Sequence, residues 1–203
     1  MSTNVSIAEL RGALESARQE RDRALQARDF KRSAAAGAVL LKAERALAAA
    51  EHEPHAVPVA FPLPWDAGAP LPHLLQNDNR ALLVFILSDA EDTNHLGVVE
   101  FQRCICTKMG TPNDEVFHGH PLSGKGLELY CALEVKNSRW ISELEAVNAV
   151  HRSYRAERWR DLKHYIFGFH DCTFECVAEG FSVDRRVATI RDVLTEFAGK
   201  FAE

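Results

Sequence analysis

The chain has no apolar run approaching the roughly eighteen residues that a membrane span requires. The N-terminus has no apolar core of the signal-peptide kind. Cysteine is sparse and odd in number, five in 203 residues, which argues against a disulfide framework and suits a reducing compartment. Excess positive charge is missing too. The net charge is −5, with nine Lys/Arg against seven Asp/Glu in residues 1–52 and fifteen against twenty-two in the remainder. A nucleic-acid binder normally carries a strongly basic domain, so extended nucleic acid is disfavoured as a partner. These absences predict a cytoplasmic protein without a membrane anchor. Hydrophobic content of 46% and charged content of 26% fit a globular domain.

Glycine and proline are also scarce in residues 6–51, where Gly12 and Gly37 are the only glycines and proline is absent. Ala, Leu, Arg, Glu and Gln dominate there, all good helix formers. Leu10, Leu14, Ala17, Ala24 and Leu25 give one apolar stripe; Ala34, Ala38, Leu41 and Leu47 give another. Asp29 is placed to cap a second helix. We read two antiparallel helices, 6–27 and 30–51, as a coiled-coil-like hairpin. Ala24 to Ala34 bears a local resemblance to the turn of UvrB/UvrC-type helical hairpins, too short to imply more than the hairpin itself. Small side chains bury little area, at about 25 cal/mol per Å². The pair is therefore expected to associate with its own domain, a second copy or a partner protein through residues 6–51.

Residues 53–79 read as an extended connector. Pro54, Pro58, Pro62, Pro64, Pro70 and Pro72 rule out a helix or central strand. Val57, Val59, Phe61, Leu63 and Trp65 are too apolar for a free linker, so the connector is expected to lie along the domain with Phe61 and Trp65 inserted.

Residues 80–203 read as an α+β domain: a five-stranded, mostly antiparallel sheet with two helices on one face. Strands are expected at 81–88, 96–107 and 127–136, then a helix from the capping box at Ser142 to about Leu162. Lys163 to Phe181 is the clearest element. Tyr165, Phe167 and Phe169 alternate on one arm, and Phe174, Cys176 and Ala178 on the other, which predicts a β-hairpin. Val187, Ile190, Leu194, Phe197 and Phe201 recur at helical spacing, with Asp184 near the start.

Several motifs touch on chemistry. Gly119 to Gly126 matches most of a phosphate-binding loop, but Gly126 stands where a Ser or Thr would hold magnesium and a strand follows, so the required helix N-terminus is missing. Cys104, Cys106, Cys172 and Cys176 lack zinc-knuckle spacing and fit core positions. Two functions are carried forward. One is an interaction or ligand-binding module, with the helices mediating self-association or partner binding. Arg152, Arg155 and Trp159, taken as one helical face, offer an anion or partner surface for it. The other is a small metal-dependent enzyme. The long 108–126 loop supplies His118 and His120, and the 163–181 hairpin supplies His170; together they could hold a divalent metal such as zinc. His170, Asp171 and Glu175 are its candidate catalytic residues.

Overall fold

The computed structural model of the chain describes residues 5–88 and 94–202. It opens with helices α1, Ile7–Gln26, and α2, Phe30–Ala50. Ser6 caps α1 reciprocally: its hydroxyl accepts the Glu9 amide, and the Glu9 carboxylate accepts the Ser6 amide. The Asp29 carboxylate accepts the Arg32 amide and caps α2. The two helices pack through Leu14, Ala17 and Leu40, flanked by Ala43 and Leu47.

It is α2 that ties the pair to the rest of the chain. Arg45 donates to the carbonyls of Ala56 and Gly126 and pairs with Glu128. Buried Glu44 accepts the Gly126 amide. Gly126 sits at φ +81°, and a Cβ there would lie 2.3 Å from Arg45 Cγ and 2.6 Å from the Ala56 carbonyl oxygen. Glycine is required there by backbone and by space.

Nine strands follow among the described residues: β1 His55–Pro58, β2 His73–Gln76, β3 Arg80–Ile86, β4 His95–Gln102, β5 Cys106–Gly110, β6 Ala132–Lys136, β7 Lys163–Gly168, β8 Thr173–Ala178 and β9 Gly180–Val187. They form a five-stranded sheet, β1-β6-β7-β8-β5, and a four-stranded sheet, β2-β3-β4-β9, antiparallel throughout. The α+β class is present, with the expected strands divided between two sheets: 81–88 and the start of 96–107 supply β3 and β4 of the four-stranded sheet, and 127–136 and the 163–181 hairpin supply β6, β7 and β8 of the five-stranded one. The chain passes between the sheets three times, first along the 59–72 connector and then at two short hinges. One is Arg103 to Ile105, where Arg103 turns at φ 45° and splits the expected 96–107 strand. The other is Glu179 alone, so the 163–181 hairpin runs on into β9.

The facing sides of the sheets enclose an aromatic core. Phe85, Phe101, Phe167, Phe169 and Phe174 have no solvent exposure. The proline-rich segment belongs to it: the Trp65 ring lies 5.1 Å from Phe169 and 5.7 Å from Phe85, and Phe61 lies 5.4 Å from Phe167. Gly97 faces Phe85 across the β3–β4 ladder, and a Cβ there would stand 2.5 Å from the ring. Gly97→Ala is therefore expected to cost about 1–3 kcal/mol through overpacking of a core that cannot give way. Urea denaturation of the variant measures this directly.

The outer faces are covered differently. Helix α4, Ile190–Phe201, lays Val193 and Phe197 on Leu82, Val84, Leu96 and Val98 of the four-stranded sheet. Its cap is Thr189, and Asp184 and Val187 belong to β9. On the five-stranded sheet, Leu122, Leu127 and Cys131 cover Ala56, Leu133, Val135 and Ile166. Tyr130, at φ 57°, ends extended backbone, so β6 begins only at Ala132. Helix α3, Arg139–Asn148, stands beside this sheet. The two C-terminal helices thus serve different sheets.

Helix α3 also corrects the expected span from Ser142 to Leu162. The capping serine is Ser138, which accepts the Ile141 amide, while Ser142 lies inside the helix and bonds back to the Ser138 carbonyl. The helix ends after Asn148: the Ala149 amide makes the last helical bond, to the Glu145 carbonyl, and turns closed by His151 on Asn148 and Tyr154 on His151 follow. The Asn148 side-chain amide also donates to the Leu144 carbonyl, and the His151 ring accepts the Ser153 backbone amide.

Candidate functional site

Period-two geometry sets the polar residues of the outer face. In β7, Tyr165 and Phe167 enter the core, so His164 and Ile166 point the other way. In β8, Phe174 and Cys176 are core, which turns Glu175 outward. Register then places Lys108 of β5 and Ile166 of β7 on either side of Glu175, and Val135 of β6 beside His164. Ser138, at the start of α3, and His120, from the 111–131 loop, complete the group.

These residues line a cleft of about 370 Å³ between the loop and α3. Ser138 Oγ lies 2.9 Å from His164 Nδ1, and His164 Nε2 lies 2.8 Å from Glu175 Oε2. His120 Nε2 stands 3.8 Å from Glu175 Oε1. The Leu122 amide donates to His120 Nδ1 at 3.1 Å, so a neutral His120 carries its proton on Nε2, toward the carboxylate. Burial raises the Glu175 pKa, and the two facing imidazoles more than reverse that, holding the carboxyl well below its ordinary range. At the rim, Lys108 Nζ sits 3.7 Å above the Trp140 ring, a cation–π contact.

The loop that delivers His120 is pinned to the hairpin turn by a second cluster. Asp114 Oδ2 accepts from Tyr130 Oη at 2.6 Å and lies 2.8 Å from His170 Nδ1. The Asp114 amide donates to the His170 carbonyl, the Tyr130 amide to the Gly168 carbonyl, and the Thr173 hydroxyl to the Pro112 carbonyl. Phe117 rests on Gly168, where a Cβ would meet its ring at 3.2 Å. The Asp114 carboxylate raises the His170 pKa, while hydrogen bonds from Tyr130 and His170 lower that of Asp114. Tyr130 is pushed up to about 12 by the same carboxylate. The His170 contribution is full below its unfolded pKa and fades as pH rises through the higher folded value; that of Asp114 is full above its unfolded pKa and fades as pH falls. In an NMR titration, His170 is expected to titrate above about 6.5, and Asp114→Asn should bring its midpoint down toward that value.

The structure separates the histidines that the sequence grouped. His170 belongs to the Asp114 clamp and His120 to the cleft, while His118 borders another hollow with Asp114, Phe117 and Ser123. Among the described residues, no group of three or more His, Cys, Asp and Glu is arranged to hold a metal ion. Asp171 is exposed, 3.9 Å from His170 Nε2, and of the three catalytic candidates only Glu175 lines the cleft. Arg152 and Arg155 lie beyond the end of α3, so they share no helical face with Trp159, which borders a different hollow with Arg103 and Arg158. Cys104 and Cys176 are buried, and burial raises the thiols of Cys131, to about 12, and Cys172.

Sequence reasoning missed His164, Ser138, Lys108 and Trp140. The signal for His164 was its phase, out of step with Tyr165, Phe167 and Phe169. Comparison with known proteins finds no matching family model, curated protein or solved structure.

Proposed function

We propose that the chain is a ligand-binding module that takes a small molecule with an acidic group into the cleft on the five-stranded sheet. The cations of the lining carry this reading. Lys108, Lys125 and Arg139 face the cleft together with Glu143 and Glu175. Lys125 is paired with Glu53 at 2.6 Å, outside the lining, so Lys108 and Arg139 are the cations left to meet an acidic group. Pro54, Pro112, Pro121, Leu122 and Trp140 supply apolar surface for the body of the ligand. The volume falls within the about 300–1,000 Å³ usual for small-molecule sites.

Benzoate, an apolar ring bearing one carboxylate, is the simplest probe. Titrated into the full chain, it should shift the Trp140 indole resonance saturably. Lys108→Gln should weaken binding about tenfold, equivalent to about 1.4 kcal/mol. A Trp140 resonance that does not move, or an affinity indifferent to Lys108, overturns the reading.

The helical pair has a separate role in this proposal, association with a second copy or a protein partner. Its support is the apolar tip of the hairpin, where Phe30 is 76% and Leu25 50% exposed. Light scattering on the full chain and on Phe30→Glu tests it. A second copy bound through the tip gives an oligomer that dissociates in the variant; an oligomer that Phe30→Glu leaves intact removes the tip from the account.

A further inference from the structure

We propose that Ser138 is a nucleophile toward a carboxylic ester held in this cleft, with His164 as its base and Glu175 orienting the imidazole. The proposal rests on the binding reading for what occupies the cleft, and on one further observation. Ser138, His164 and Glu175 form a continuous hydrogen-bonded line at 2.9 and 2.8 Å, drawn from the cap of α3, from β7 and from β8.

The direction of that line follows from its ends. The Ile141 amide can only donate, so it occupies an acceptor position on Ser138 Oγ. A serine that merely caps a helix needs nothing more. Here its hydroxyl proton has an acceptor of its own, His164 Nδ1, because the ionised Glu175 holds the imidazole proton on Nε2. The serine meets Nδ1 and the carboxylate meets Nε2. Either ring nitrogen can act as base, since the one facing the carboxylate fixes the tautomer of the other.

In the reaction the Ser138 Oγ–H bond breaks and its proton passes to His164 Nδ1. Oγ bonds to the ester carbonyl carbon, and the C=O π pair moves onto oxygen. That pair then re-forms the carbonyl as the ester C–O bond breaks, and the leaving alkoxide takes the proton from Nδ1. Water, deprotonated by the same nitrogen, repeats the sequence on the acyl-serine and frees the acid. The first amides of α3 have no intrahelical acceptor and lie at the positive end of the helix, beside Ser138. Arg139 and Trp140, which carry two of them, border the cleft. Developing negative charge on the carbonyl oxygen is stabilised there.

Diisopropyl fluorophosphate tests the nucleophile without knowledge of the natural ester. Attack by Oγ forms an O–P bond and expels fluoride, while the hydroxyl proton leaves through His164. The full chain should gain one diisopropylphosphoryl group, mapped by peptide mass spectrometry to Ser138. Ser138→Gly, which keeps most of the cap energy, should stay unlabelled while folded. His164→Gln should slow labelling by about 100-fold or more, with folding checked by its amide spectrum. Should that variant not fold, protection of the wild-type chain by benzoate serves in its place. Labelling that falls as benzoate fills the cleft supports the proposal, and labelling indifferent to bound benzoate overturns it. A wild-type chain that binds benzoate but resists the reagent ends the nucleophile and leaves the binding reading standing. Labelling of Ser138 in a chain that ignores benzoate does the reverse. Equal rates in wild type and folded His164→Gln remove His164 as base and overturn the proposal.

Discussion

Trp65→Ala should lower the unfolding free energy by about 3–5 kcal/mol, the usual cost of emptying a large aromatic site. The residue lies in a stretch whose six prolines give it the composition of a linker. Yet it is only 6% exposed, and its ring touches Phe61, Phe85, Phe167 and Phe169. These partners come from both sheets, so the indole fills the seam between them. The surrounding Phe rings are wedged against one another and cannot collapse into the space left behind. Guanidinium denaturation followed by circular dichroism gives the number, from a shift in midpoint at unchanged slope. A loss below about 1 kcal/mol would mean that the connector lies on a core complete without it.

The same residue shows how far the chain could be read in advance. Proline forbids helix, and aromatic residues at a proline-rich connector demand burial; both inferences are local. So was the reading of α1 and α2, from composition and a cap, and of the β7–β8 hairpin, from strict alternation around a polar turn. The second sheet depended on something less local. Between β8 and β9 only Glu179 intervenes, with no proline and no tight turn to announce a change of sheet. Strand β9 reads Gly-Phe-Ser-Val-Asp-Arg-Arg-Val, and four of its residues, Ser182, Asp184, Arg185 and Val187, are exposed. Its pairing with β4 supplies the order that its composition does not. Residues that meet by register are equally hidden. Glu175 drew notice because it sits beside His170 and Asp171 in a crowded turn. Its actual partners are His164 across a ladder, Lys108 across another, and His120 from a loop whose course depends on the Asp114 clamp. Proximity in sequence pointed to His170, which stays at the turn and is taken up by Asp114 instead.

Glu175→Gln is the substitution that this geometry makes most informative, with an expected cost of about 3–4 kcal/mol at pH 7. Its side chain is 16% exposed and faces two imidazoles whose own exposure is 6% each. An amide of the same shape keeps one acceptor oxygen. It sets an N–H₂ group against the second ring and removes the charge that both rings have turned toward. Part of the cost is therefore a buried donor left without an acceptor. The pH dependence identifies the ionised carboxylate as the cause. Because the folded-state pKa lies below the unfolded value, the unfolded chain binds the proton first as the solution is acidified. The contribution of Glu175 is thus complete above the unfolded pKa of about 4.5. It declines below that toward the folded value, and Gln has no such limb. Urea denaturation of both proteins between pH 7 and pH 3 should show the stability gap narrowing on the acid side. His120, His164 and Lys108 surround position 175 in both proteins, so the comparison is made between the two and not on either alone. A gap that stays constant through pH 3 would mean that the cost comes from the unpaired amide donor and not from the lost charge. In that case the relay could not hold His164 in the tautomer that leaves Nδ1 free to accept from Ser138.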